Sequence, residues 1–283
     1  MKKISCRVIS ALLALVVLLG CVSAAAAVEK KPLYVVLGDS IAFGMGLTNP
    51  KNAVYGKIVA DTDGYDYENY AIPGHTTANL LQRMQEPTVK AAIRSADIIS
   101  ISIGGNNFLL GNLAMILYDG IVKNNFSRID AIIETFTADL DEIVSEIKAL
   151  NPDVVILLQT LYNPQKGYSE EVYGQGAAML NQAIKDYVRK YDDSVLLVDV
   201  GAALTDKETD FARDGVHPSA VGNEKIAQAV LDTLYKNGLG DKTEPVIAVK
   251  GRNLVGTDFI AGSVQIYCWI LRLFAPVLKT LPI

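Results

Sequence analysis

Five short strand-like runs, most of them apolar, alternate along this chain with stretches whose apolar residues recur at helical spacing. The runs are Leu33 to Gly38, Tyr65 to Ala71, Asp97 to Ile103, Val154 to Thr160 and Val195 to Val200. Helical stretches fall near Ala53 to Asp61, Thr76 to Ser95 with Pro87 interrupting, Ile129 to Leu150, Glu170 to Lys190 and Ser219 to Asn237, the last closing at Gly238. Strands buried on both faces read as continuous apolar runs, and parallel neighbours need a crossover of roughly a dozen residues, usually a helix. The alternation therefore predicts an α/β fold, a doubly wound five-stranded parallel sheet in flavodoxin-like order. Ile133, Phe136, Leu140, Ile143, Ile147 and Leu150 share one helical face and are read as core.

Open α/β sheets build their sites at the carboxyl ends of the strands. The first run ends there in Gly38-Asp39-Ser40, which makes Ser40 a candidate nucleophile. A hydroxyl needs a base that titrates near neutral pH, and the base needs an acceptor that fixes its tautomer. Only two histidines are present, His75 and His217, and Asp214-Gly215-Val216-His217 supplies both a base and an acid. Acyl transfer also needs donors for an oxyanion. Gly74 offers a backbone N–H in a conformation closed to residues with a Cβ, and Asn106 offers a side-chain NH₂. Each segment alone has an ordinary explanation: a chance tripeptide, a loop histidine before a helix, two strand-to-helix turns.

Taken together, Gly38-Asp39-Ser40, Gly74, Gly104-Gly105-Asn106-Asn107 and Asp214-Gly215-Val216-His217 resemble, in order, the four blocks of the SGNH/GDSL hydrolases. That family comprises serine esterases, lipases, thioesterases and acyl-carbohydrate deacetylases. The resemblance implies Ser40 as nucleophile, His217 as general base and Asp214 as its orienting acid, with the Ser40 N–H, Gly74 N–H and Asn106 side chain as oxyanion hole. It implies no cofactor, and as substrate a small ester or an acylated lipid or glycan. Asn107 departs from the Asp usual in the third block, which puts a supporting turn in question. Asp39 is read as a structural hydrogen-bonding residue of the turn and His75 as a loop residue able to touch substrate. Asp199 ends a strand and is set aside in favour of Asp214. Specificity is assigned to the loops Ile41–Asn52, Phe108–Arg128 and Leu161–Glu170.

The rest of the sequence sets this candidate in an exported chain. Lys2, Lys3 and Arg7 precede an apolar stretch from Val8 to Val22, so residues 1–27 read as a bacterial secretory signal. Cleavage is placed near Ala26 or Ala27, with a lipid-modified Cys21 after Leu18-Leu19-Gly20 as the alternative. Plain cleavage leaves Cys268 alone, which removes an intrachain disulfide or a cysteine-built metal site. The total charge of −5 divides into +3 for residues 1–27, +3 for 242–283 and −11 for the hydrolase domain 28–241, a balance that argues against nucleic acid as partner. From Phe259 to Leu278 the chain is mostly apolar, while Asp258, Gln265, Arg272 and Lys279 recur every seven residues. The expectation for this tail is a helix lying on a membrane surface through residues 259–279, Arg272 and Lys279 among the headgroups and Trp269 and Phe274 in the lipid. Docking on the chain's own body and a membrane span are the alternatives. Two other readings stand beside the hydrolase: a non-catalytic envelope module binding glycan or lipid on the same fold, and a structural envelope protein whose business is the tail.

Overall fold

The structure, a computed structural model, describes residues 30–191, 193–255 and 259–280. The signal-like segment 1–27 and its cleavage sites lie outside the described residues. One compact unit spans Pro32–Ile283. Its described elements run β1 (Leu33–Gly38), α1 (Ser40–Phe43), α2 (Pro50–Ala53), α3 (Tyr55–Asp63), β2 (Asp66–Asn69), α4 (Thr77–Met84), α5 (Pro87–Ser95), β3 (Ile98–Ser102), α6 (Gly105–Leu109) and α7 (Leu113–Tyr118). A π-helical turn (Asp119–Lys123) leads to α8 (Ser127–Leu150), β4 (Val155–Gln159), a 3-10 turn (Gly167–Ser169), α9 (Glu170–Val188), β5 (Val195–Val198), α10 (Val200–Ala203), α11 (Ala220–Lys236) and α12 (Phe259–Leu278).

The five strands form one parallel sheet in the order β2-β1-β3-β4-β5, the flavodoxin-like order expected. β3 is buried at every residue and β1 at all but its first, because helices cover both faces; Tyr34, Val35, Val36 and Leu37 are fully buried. Connections that step the same way along the sheet share a face when every crossover is right-handed. That places α4, α5, α8 and α9 on one face and α3 on the other, where it packs against α11. The chain leaves β1 toward β2 and leaves β3 toward β4, so the switch point lies between β1 and β3. There Gly38 pairs with Ser102, and the turns after both strands open on the same rim.

Local chemistry sets the boundaries. Pro87 occupies the first position of α5, which splits the predicted Thr76–Ser95 helix in two. Thr76 and Asn79 form a capping box at the start of α4. The predicted α8 stripe is core: Phe136, Leu140, Ile143 and Ile147 are at most 2 % exposed, with Ile133 and Leu150 packed at its margin. Residues 108–128, expected to be a loop, are mostly helical, as α6, α7 and the π turn. Gly111, Asn112 and Gly120 mask the periodicity there, and Asn112 and Asn124 take the left-handed conformation that ends one short helix and begins another.

The segment after α11 is laced to the body. Lys242 reaches the Thr62 carbonyl, and the Val246 N–H donates to Thr62 Oγ1 at 2.9 Å. Farther on, Thr48 N–H donates to Arg252 O (2.8 Å), Leu254 N–H to Gly46 O (2.7 Å) and Ala220 N–H to Asn253 Oδ1 (2.7 Å). Helix α12 then docks on α7, the π turn and the 3-10 turn. Its polar stripe makes the contact: Gln265 accepts from Tyr168 N–H (2.9 Å) and donates to Lys166 O and Ser169 Oγ, while Arg272 donates to Tyr168 O and to Glu171 at 3.1 Å. Cys268 and Leu271 bury against Leu117, Tyr118, Val122 and Val172. The sequence expectation for Arg272 is therefore corrected, because its guanidinium fastens the helix to the body. Ile266, Trp269, Ile270, Leu273, Phe274 and Val277 are left exposed. Among the described residues no helix is long and apolar enough to cross a membrane.

Candidate active site

Gly38 must be glycine twice over. Its φ is +143°, and a Cβ there would stand 2.1 Å from the Ser102 carbonyl oxygen, which the next residue's N–H needs as its acceptor at 3.1 Å. Asp39 caps α1, its Oδ1 accepting the Ile41 N–H at 3.0 Å, so its carboxylate is structural as the sequence reading has it. Burial pushes the Asp39 carboxyl up to about 7, although the Ile41 hydrogen bond and the nearby His217 pull the other way. Ser40 is the first residue of α1, and a first helical N–H has no acceptor within its own helix.

The second loop brings the His217 ring to that hydroxyl. His217 Nε2 lies 3.0 Å from Ser40 Oγ, and His217 Nδ1 lies 2.7 Å from Asp214 Oδ2. The other Asp214 oxygen accepts the Val216 and His217 N–H groups, both at 2.9 Å, so the loop curls around its own carboxylate. Burial raises the Asp214 carboxyl, but hydrogen bonds from the His217 ring and from the two backbone N–H groups outweigh it and hold the group below the usual carboxylate range. The Tyr162 hydroxyl holds the loop from behind through Val216 O at 2.8 Å. Gly46 lets the strand of chain after α1 come close: a Cβ there would meet Pro218 O at 2.7 Å and His217 Cβ at 3.1 Å.

Gly74 has φ +84° with open space where a Cβ would be, so its backbone conformation explains the glycine. Asn106, in the first turn of α6, donates one side-chain N–H to His75 O at 2.9 Å, which pins the carboxamide and leaves its second N–H for a ligand. Both residues line one cleft of about 580 Å³ with Ser40, Asp214 and His217. The His75 ring does not line that cleft; the residue contributes its carbonyl. Asp199 caps α10 and pairs with Lys185 at 2.9 Å, away from the histidine.

Asn107 takes part in a relay that sequence reasoning did not find. It accepts the Thr77 N–H at 3.3 Å and donates its amide to Thr77 Oγ1 at 2.9 Å, and the Thr77 hydroxyl donates in turn to Asp139 on α8. One hydroxyl proton cannot serve two carboxylates, so an amide at 107 suits a carboxylate at 139. Met45, Leu109, Leu161 and Tyr162 wall the cleft and fall in the three loops assigned to specificity, while Tyr173 on α9, which also walls it, was missed. No local motif marks Tyr173, since its position follows from packing. Among the described residues no cluster of His, Cys, Asp and Glu is placed to hold a metal ion.

A relative from Bacillus subtilis strain 168, the uncharacterized protein YpmR, is 26 % identical over 214 residues, 72 % of this chain and 81 % of that protein. Among solved structures the chain is similar to the lipase Lip_vut3 from a goat rumen metagenome, with a TM-score of 0.60 at 20 % identity over 74 % of this chain and 99 % of that one. It is similar also to a Clostridium thermocellum family 3 carbohydrate esterase, with a TM-score of 0.52 at 18 % identity over 75 % and 100 % of the two chains. Residues 36–225, which run from β1 into α11 and hold all four blocks, match the family model described as GDSL-like Lipase/Acylhydrolase. The chain belongs to the GDSL-like lipase/acylhydrolase family.

Proposed function

We propose that this chain is an exported serine ester hydrolase acting on carboxylic esters by way of an acyl-enzyme. The observation that carries the reading is the single line of contacts from Asp214 through His217 to Ser40 Oγ, at 2.7 and 3.0 Å. In the first step His217 Nε2 takes the hydroxyl proton as Ser40 Oγ attacks the ester carbonyl carbon. The oxyanion is held by the Ser40 N–H, the Gly74 N–H and the free N–H of Asn106. The tetrahedral adduct collapses, the imidazolium returns the proton to the leaving alcohol, and Ser40 keeps the acyl group. A water that gives its proton to His217 then attacks the acyl-enzyme and releases the acid. The half-buried, hydrogen-bonded Asp214 carboxylate steadies the imidazolium in both steps.

Ser40→Ala is expected to abolish turnover of p-nitrophenyl acetate with unchanged circular dichroism, and Asn106→Ala to lower kcat by about 10²–10³. A fluorophosphonate should label Ser40 in the parent chain. No labelling, together with full turnover in Ser40→Ala, would overturn the assignment and favour a non-catalytic binding module.

The same proposal includes a membrane surface as the place of action, with the signal-like residues 1–27 as the export route. Its support is the exposed row Ile266, Trp269, Ile270, Leu273, Phe274 and Val277 on α12. Helix α12 packs on α7, and shortly before α7 the cleft-lining Leu109 and its neighbour Leu110 are themselves exposed. A tryptophan among aliphatic side chains suits the lipid interface. An acylated lipid drawn from that surface is the substrate this arrangement favours over an acylated glycan.

A further inference from the structure

The loop that carries Asp214 and His217 borders a second concavity, of about 650 Å³, and no described residue lines both it and the cleft. Asp214, Val216 and His217 face the cleft, whereas Ala212, Arg213 and Gly215 line the second space. Tyr162 and Phe211, whose rings pack 5.1 Å apart, divide in the same way, one to each side. The other walls of the second space are Gln165 and Lys166, the laced residues from Asn253 on, and Gln265 of α12.

Charge singles this space out. Residues 28–241 carry −11, yet the charged side chains described in the walls here are Lys166, Lys207 and Arg213 against Glu208. Lys166 and Lys207 are held face to face: Lys166 Nζ pairs with Glu208 at 2.5 Å, and Lys207 Nζ donates to Gln165 O at 2.5 Å while pairing with Glu170. The Lys166 and Glu208 side chains are at least half exposed, and such a pair contributes little, so a doubly charged anion displaces Glu208 from Lys166 at small cost. Arg213 has no ion pair and no hydrogen bond among the described residues, and its guanidinium is exposed. Asn253 commits its Oδ1 to the Ala220 N–H at 2.7 Å, which fixes the amide and leaves its NH₂ without an acceptor among the described residues. A planar guanidinium, an ammonium and a pinned amide, from three segments far apart in sequence, make a donor set for a tetrahedral oxyanion. Phe211, Ala212 and Leu254 add apolar surface for the rest of a small molecule.

We propose that this concavity is a binding site for a phosphate group, carried by a small phosphomonoester or by a lipid headgroup, with Arg213, Lys166 and Asn253 as its donors. The inference goes beyond the hydrolase reading and does not need it. Because the two spaces have separate walls, this ligand and an ester in the cleft are held at the same time. The ligand then ties the His217 loop to the residues around Lys166 and to the segment before α12.

Inorganic phosphate is the first probe. Calorimetric titration of the parent chain at neutral pH, with ionic strength held by sodium chloride, is expected to give a Kd of about 1 mM or tighter. Arg213→Gln should weaken it about tenfold and Lys166→Gln about threefold, with the melting temperature of the parent kept in both, since neither side chain holds the free fold together. Competition with sn-glycerol 3-phosphate and with phosphatidylglycerol vesicles distinguishes the two sources: displacement by the first supports a soluble phosphomonoester, by the second a headgroup. Phosphate binding that neither displaces marks an adventitious ion only and overturns the proposal. No binding up to about 20 mM phosphate, or an Arg213→Gln variant that binds within about twofold of the parent, overturns it as well. Each of these failures leaves the hydrolase standing, while loss of fluorophosphonate labelling bears on the hydrolase alone.

Discussion

Asp39 shows how one buried carboxylate bears on both stability and the proposed chemistry. It is 1 % exposed, and burial raises it to about 7 from an unfolded value near 4. A raised acid costs nothing below its unfolded value, costs more as pH climbs toward the folded value, and carries its full cost above that. Asparagine caps a helix about as well as aspartate. Asp39→Asn should therefore match the parent in urea at pH 4 and exceed it by roughly 2–4 kcal/mol at pH 8; an equal gain at both values would contradict the burial argument. The same substitution removes a negative charge near His217, where the proposed mechanism forms an imidazolium, so a loss of about two- to tenfold in kcat is expected. Residues whose partners are near in sequence were legible from it: the turn at Gly38, the cap at Asp39 and the Asp214–His217 pair. Tyr173 was not, because it meets the cleft only once α9 has packed on α8.

Among the elements, the link between α4, α6 and α8 is the one whose chemistry can be exchanged. Asn107, Thr77 and Asp139 form a chain in which the amide donates, the hydroxyl relays and the carboxylate accepts. N107D would set two carboxylates at one hydroxyl proton and is expected to cost about 1–3 kcal/mol. Adding D139N restores one amide and one carboxylate, and thermal unfolding of the double variant should recover most of the loss; no recovery would mean that the two residues act independently. The strands and long helices were legible because their periodicity runs for many residues. The segment from α6 to the π turn was not, since its helices are shorter than a readable period and its glycines and asparagines resemble a loop.

For the whole molecule the open surface is α12, where the sequence pointed to an amphipathic helix but not to which face would meet the body. The face that packed is a mixed one, with Gln265 and Arg272 hydrogen-bonded to the body beside the buried Cys268 and Leu271. The remaining face leads to a prediction for the membrane proposal. The parent chain should co-sediment with phosphatidylcholine–phosphatidylglycerol vesicles, and the triple variant W269Q/L273Q/F274Q should lose at least tenfold in partitioning while its melting temperature holds. Each of these side chains contributes about 1.5–3 kcal/mol when taken fully out of water. Equal partitioning of the two proteins would count against a lipid surface.

The lacing after α11 gives the molecule an order in time. Gly46 and Leu47 follow the Ser40 turn, Ala220 follows the His217 loop, and residues 252–254 hold both. A ribosome makes Ser40 early and His217 late, and it makes their common clasp later still. A growing chain can thus possess every reacting group while the loops that carry them are not yet tied together. The cleft is completed only once residues 252–254 have followed, after Ser40, Asp214 and His217 have already emerged.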